Sequence, residues 1–441
     1  MKKKWRLTGF VLAVVLLLSG CNMRTFEQLY APPKRSDAYR NLQNMIDQVM
    51  VGYEYSAPLT GQELQAVQMA DLDGDGQVEY LLYARSNGEK PLSIFVFSRD
   101  ADDFRLLDVI YSAGSAFDQV VYASLDKRPG KEIVVGRQLS DQVVRSVSVY
   151  SLVDGKISHS LTANYTKFLC TDLDSDGTGN LVVVKPNPAD STNGIAEYFA
   201  YSHANVPESS ELSLSVPASR VRNVFAGILN DGYPAVDVES EYGSGLITDV
   251  LAIQGGKFGS PSWQTDALAS LVTQRDYPVY AADIDRDGVP ELPQLLPVSP
   301  PAGSENQDPN QRLICWNGMM LNGVMNVKQY TYHNFTGGWY LALPEELARQ
   351  VTVRQHGNGY EFRVWNEENA SYDRILTLYV LTGQKREEQA TTGNRFVLYR
   401  TENTVYAANL DVASAVYGMT QESVAGSFHL IFRDWKSSGI E

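Results

Sequence analysis

Cysteine is scarce in this chain, with three residues in 441, so a disulfide-dense scaffold is excluded. Basic residues are also in deficit: 37 Lys and Arg face 52 Asp and Glu, a formal charge of −15. That balance repels phosphate backbones and argues against a nucleic-acid partner. The five histidines (His159, His203, His333, His356 and His429) are scattered, without metal-ligand spacing. There is no Gly-x-Ser-x-Gly, no His-Glu-x-x-His and no glycine-rich phosphate loop, so no nucleophile, zinc or nucleotide motif is readable. Carboxylate pairs for glycoside hydrolysis lie far apart in a chain and leave no local signature, so an enzyme acting on polysaccharide stays open. Glycine (34) and proline (19) are near average, which excludes collagen-like and wholly disordered chains. The length predicts two to four domains.

The N-terminus reads as an address. Lys2, Lys3, Lys4 and Arg6 precede an apolar run, Val11 to Leu18, and then Leu18-Ser19-Gly20-Cys21. The run is shorter than the roughly 20 residues a spanning helix needs and ends in small residues, as an export signal does. The last four residues resemble a bacterial lipobox. That resemblance implies cleavage before Cys21, a lipid on its thiol, and a chain held on the extracytoplasmic face of the cell membrane. Residues 1–20 are then the signal and 21–35 a tether containing Pro32 and Pro33. Cys170 and Cys315 remain, either paired or, as the apolar runs around them favour, buried as free thiols. Residues 36–50 predict a helix: Ser36 is an N-cap, and Leu42, Met45, Ile46 and Val49 share one face. With its lead-in this segment runs to residue 64.

An internal repeat organises the middle of the chain. Asp71-Leu72-Asp73-Gly74-Asp75-Gly76-Gln77-Val78-Glu79 recurs as Asp172-Leu173-Asp174-Ser175-Asp176-Gly177-Thr178-Gly179-Asn180 and as Asp283-Ile284-Asp285-Arg286-Asp287-Gly288-Val289-Pro290-Glu291. Two worn copies lie between them. Ser124 to Glu132 keeps Asp126, Gly130 and Glu132, and Gly227 to Ala235 keeps Asp231 and Gly232. Each copy sits between strand-like runs, the earlier ones being 66–70, 120–123, 167–171, 221–226 and 278–282. Two more runs come after it, such as Leu92 to Phe97 and Phe104 to Tyr111. Four short strands in about 50 residues is the period of a propeller blade, and a blade must stack on its neighbours to bury its faces.

The repeat resembles the FG-GAP/VCBS type of β-propeller, found in integrin α-chain heads and in many bacterial surface proteins. The resemblance covers about 65–335. It implies a mainly β fold: a β-propeller over 65–336 with five readable blades, or up to seven if the C-terminal strands add two. The tether, helix and C-terminal region also resemble, loosely, secreted lipoproteins of Gram-positive bacteria. Gly337-Gly338 reads as a boundary before a small α+β domain at 337–441. Its strands fall at 350–354, 360–365, 375–381, 395–399 and 405–408. Val424, Phe428, Ile431 and Trp435 then recur at helical spacing behind an N-cap at Thr420. The proline-rich stretch 290–309 reads as a long loop between strands.

The family's ligand pattern carries over to the three intact loops as calcium sites. Calcium takes six to eight oxygens, which Asp side chains supply in a tight turn. Positions 1, 3 and 5 are Asp71, Asp73 and Asp75; Asp172, Asp174 and Asp176; and Asp283, Asp285 and Asp287. Position 6 is Gly. Position 7 (Gln77, Thr178, Val289) gives a backbone carbonyl, and position 9 (Glu79, Asn180, Glu291) a side-chain oxygen. An EF-hand is excluded, because its twelfth residue is a bidentate Glu and here stand Leu82, Val183 and Gln294. Three carboxylates crowded into five residues repel one another without a cation. Asn180 is uncharged, so its own site, in the third of the five copies, is expected to be the weakest, and the worn copies are expected to be metal-free. The leading reading is a lipid-anchored, calcium-stabilised propeller that binds or scaffolds an unidentified surface ligand, protein or polysaccharide, and is not an enzyme. The alternatives are a hydrolase or lyase acting on an envelope or extracellular polysaccharide, and an accessory subunit of an envelope complex.

Overall fold

The computed structural model describes residues 37–100, 103–139, 144–203, 206–298 and 311–431. The signal, Cys21, the tether, Ser36, most of the proline-rich loop and Trp435 lie outside the described residues. The chain is mainly β. The described residues form six antiparallel sheets of four or five strands each. The first sheet holds Val67–Ala70, Glu79–Arg85, Leu92–Asp100 and Asp103–Ser112, with Glu54–Tyr55 beside the second of these. The second holds Ala116–Ala123, Glu132–Gln138, Arg145–Val153 and Lys156–Tyr165, and the third Lys167–Thr171, Asn180–Pro186, Gly194–His203 and Val206–Ser213. The fourth spans Val221–Ile228 to Lys257–Gly259.

The strand after each acidic turn shows why these segments are strands. Leu81, Leu82, Tyr83 and Ala84 are all buried, as are Leu181 to Val184. A strand covered on both faces needs an unbroken apolar run, not an alternating one. Alternate residues still serve opposite faces. Leu81 and Tyr83 pack towards the second sheet with Phe117, Ile133 and Val135, whereas Leu82 and Ala84 pack under the helix. Similar cores join the second sheet to the third, the third to the fourth, the fourth to a fifth (within 292–343 and 428–430) and the fifth to a sixth (within 351–410). Each fully buried Leu, Val or Phe there is worth about 1.5–3 kcal/mol over its exposed state.

Both outer faces of this row are covered by helices. Helix α1, Asp37–Val49, lays Leu42 and Ile46 on Phe95, Phe97 and Phe104 of the first sheet. This is the face that sequence periodicity assigned to it. At the other end Ala390 of a short helix, Arg386–Ala390, meets Leu381, Val405 and Ala407 of the sixth sheet. Among the described residues no core cluster joins the sixth sheet to the first, and no helix is long and apolar enough to cross a membrane.

Two expected elements differ. Residues 278–282 make no regular strand, and only Ala282 bridges to Glu291. The N–H of Ala281 instead donates to the Glu239 carboxylate of the fourth sheet at 2.7 Å. The C-terminal helix is also shorter than expected. Thr420 caps it in a reciprocal box with Ser423, but the helix ends at Ser427. Phe428–Leu430 is a strand paired with Trp339–Leu341, and Phe428 packs against the Trp339 and Tyr406 rings. His429, expected inside the helix, stacks on Tyr340. Gly337 and Gly338 lie in the turn of a hairpin, and Trp339–Leu343 continues the fifth sheet after Leu292–Leu296, Gln311–Met319 and Met325–Asn334. The sixth sheet runs Val351–His356, Gly359–Asn366, Ser371–Thr382, Thr404–Leu410, Phe396–Arg400 in spatial order. Cys170 and Cys315 are both free thiols.

Candidate metal centres

Each intact loop closes the hairpin between two antiparallel segments, and its carboxylates organise the turn. The position-1 acids accept from the loop backbone. Asp71 takes Gly74 N at 2.7 Å and Gly76 N at 3.1 Å, Asp172 takes Asp176 N and Gly177 N at 3.2 and 3.0 Å, and Asp283 takes Gly288 N at 3.1 Å. The position-5 acids accept from the position-7 N–H groups, Gln77 to Asp75 at 2.7 Å, Thr178 to Asp176 at 2.9 Å and Val289 to Asp287 at 2.8 Å. The glycines at position 6 have φ of +84, +89 and +90°, a backbone that side chains rarely adopt. Position 4 is also left-handed, and there Ser175 and Arg286 hold φ of +60 and +66° without being glycine.

Position 9 locks the turn to the strand behind it. Glu79 Oε2 accepts from Leu72 N at 2.9 Å, Asn180 Oδ1 from Leu173 N at 2.7 Å, and Glu291 Oε2 from Ile284 N at 3.0 Å. Three sets of carboxylate oxygens result, each within 4.8 Å: Asp71, Asp73 and Glu79; Asp172, Asp174 and Asp176; and Asp283, Asp285 and Glu291. Oxygens on opposite sides of one calcium ion, at roughly 2.3–2.6 Å each, are about that far apart. Asp75 and Asp287 stand outside these sets. Asp287 pairs with Lys328 Nζ at 2.7 Å, and that bond holds its carboxyl below the usual range.

The electrostatics of these turns favour a cation. Burial, with the like charges of Asp71, Asp73 and Asp75, pushes Glu79 up to about 7. Burial and Asp283, Asp285 and Asp287 do the same to Glu291, also to about 7. Glu291 is fully buried, and its Oε1 has no hydrogen-bond partner. A buried acceptor is rarely left so unless an ion or water completes it. A divalent ion among these oxygens would remove both penalties at once.

Sequence reading missed the groups that reach the loops from elsewhere. Tyr198 OH donates to Asp174 at 2.8 Å, and Lys127 Nζ approaches Asp176 at 3.4 Å. In the fourth unit Asp231 accepts from Leu321 N at 3.0 Å. That unit also hides acids in its strand. Glu239 pairs with the fully buried Arg275 at 3.0 Å, and Asp237 faces a small cavity lined by Leu229, Val250, Pro290 and Leu292. Burial and the neighbouring Glu239 push Asp237 up to about 8.

No family model matches this chain, and no curated protein matches it. Similar solved structures include a protein from Lactobacillus plantarum, 11% identical, TM-score 0.27, over 72% of this chain and 86% of that one. The exotype rhamnogalacturonan lyase YesX is 12% identical, TM-score 0.25, over 70% and 61%. Rhamnogalacturonan lyase YesW is 15% identical, TM-score 0.32, over 86% and 69%. At these scores the likeness assigns no activity to this chain.

Proposed function

We propose that this chain is a calcium-stabilised, propeller-type protein of FG-GAP/VCBS blades, held by a lipid on Cys21 at the extracytoplasmic face of the membrane, where it binds or scaffolds a surface ligand. The observation that carries the calcium reading is the set of three carboxylate groups, each gathered within one ion's span, with Glu291 Oε1 buried and unpartnered beside Asp283 and Asp285. The ion's role is structural: it neutralises the turn and ties the strand on either side of it. Asp73, Asp174 and Asp285 would ligate from mid-loop, and Glu79 and Glu291 from the start of the next strand. Extracellular modules hold calcium with Kd of roughly 10⁻⁴ to 10⁻³ M. Magnesium should substitute poorly, because it demands a tighter octahedron.

Thermal melting in millimolar calcium and in EGTA tests the metal reading, with EGTA lowering the midpoint. The anchor is tested by Cys21→Ala, which should abolish lipid labelling in cells; continued labelling contradicts it. Incubation with polysaccharides and product analysis separates binding from degradation. Turnover that disappears on substitution of one cleft residue contradicts the binding role.

A further inference from the structure

The second turn, Ser124–Glu132, has Ser124 and Arg128 where the intact loops have their acids at positions 1 and 5. It keeps the same construction all the same. Glu132 Oε2 accepts from Leu125 N at 2.7 Å, as Glu79 and Glu291 do from the corresponding N–H groups. Asp126 Oδ1, at position 3, accepts from Arg128 N at 2.8 Å. The guanidinium of Arg128 then folds back into the turn. Its Nε and Nη2 donate to Asp126 Oδ2 at 2.8 and 2.5 Å, and Nη2 lies 3.9 Å from Glu132 Oε1. The two carboxylates are almost wholly enclosed, with side-chain exposures of 3% and 8%. A positive charge of the chain thus touches the position-3 and position-9 acids, the same two positions that contribute to the gathered sets of the first and fifth loops.

We propose that Arg128 is a built-in cation, which takes in the second turn the place a metal ion takes in the intact loops and makes the second sheet independent of calcium. The equivalence with a metal rests on the calcium reading of those loops. The placement gives the substitution a purpose. A Cβ on Gly74 of the first loop would fall 2.3 Å from Pro129 Cβ, and one on Gly130 would fall 2.4 Å from Leu72 O. On the other side Gly179 N of the third loop donates to Ser124 O at 2.7 Å. The second turn is therefore wedged between two metal loops. With its charges settled by the chain itself, it stays folded when calcium is low and gives both neighbours a fixed wall to close against when calcium returns. Two enclosed carboxylates left without their cation would instead force the turn open.

Hydrogen exchange on the full-length protein, in calcium and in EGTA, tests this. In the natural sequence EGTA should speed exchange around 71–79 and 172–180 and leave 124–138 unchanged. Arg128→Gln should speed exchange in 124–138 on the order of a hundredfold, with calcium or without it. A neutral triple variant, Asp126→Asn with Arg128→Gln and Glu132→Gln, should regain most of that protection, because no uncompensated charge is left. The inference is overturned if Arg128→Gln leaves 124–138 as protected as before, if the triple variant is no better than the single one, or if EGTA loosens 124–138 along with the other loops. Indifference of 71–79 and 172–180 to EGTA, with 124–138 still opened by Arg128→Gln, overturns the calcium reading and leaves the built-in ion pair standing.

Discussion

In the first, third and fifth units the acids sit together in a surface turn, gathered in threes. In the second unit Asp126 of the turn is paired with Arg128, and in the fourth, where the turn acid Asp231 accepts from Leu321 N, Glu239 inside the sheet is paired with Arg275. The two groups of units occupy one row and share hairpin geometry, so the difference lies in where the neutralising charge comes from. A chain-borne guanidinium is present at all times and fixed in place. On the calcium reading proposed above, a gathered set of carboxylates depends on what the solvent supplies, and its share of stability rises and falls with the ion.

The largest effect should come from the arginine-paired units. Arg275→Met leaves Glu239 buried without its partner and should cost about 3–5 kcal/mol in urea unfolding. A loss near zero would mean that Glu239 is neutral and that the fourth unit does not depend on its arginine. Calcium removal comes next. With Kd in the millimolar to tenth-millimolar range, three sites in millimolar calcium contribute roughly 1–4 kcal/mol together. EGTA should withdraw that amount from the natural protein.

Asp237 adds an effect that varies with pH. Its folded value of about 8 lies above the ordinary 3.8. A raised acid keeps its protons longer when folded, so its contribution is intact below about pH 4 and is lost as pH rises towards about 8. Asp237→Asn should therefore stabilise the protein increasingly across that window, and a gain independent of pH would show that Asp237 is already ionised. The smallest effect concerns the third loop. Asn180→Glu should bring that loop from three carboxylates to four, the number in the first and fifth loops, and tighten calcium there by several-fold, about 1 kcal/mol. Unchanged affinity would place position 9 outside the ligand set.

The legible parts of this molecule were those set by residues close in sequence. The acidic turns could be read because positions 1, 3, 5, 6 and 9 each demand a residue type, and the strands beside them because Ile133–Val135 and Leu181–Val184 are unbroken apolar runs. Helix α1 was legible from Leu42 and Ile46. Partnerships across long separations stayed hidden. Phe428 looks helical until Trp339 and Leu341 offer it a strand edge. The segment 278–282 looks like a strand until Glu239 takes the Ala281 N–H. Asp237 and Arg275 look like ordinary surface charges within their own segments. Arg128 was within reach, since it lies two residues from Asp126, but an arginine in a turn usually points to solvent.

A calorimetric titration of the purified protein with calcium tests the central claim most directly. Three ions should bind per chain. Asp285→Ala, which removes a member of the fifth set, should leave two, whereas Asp287→Ala, outside that set and held by Lys328, should keep three with a smaller loss of affinity. No calcium uptake, together with a melting temperature indifferent to EGTA, would contradict the account.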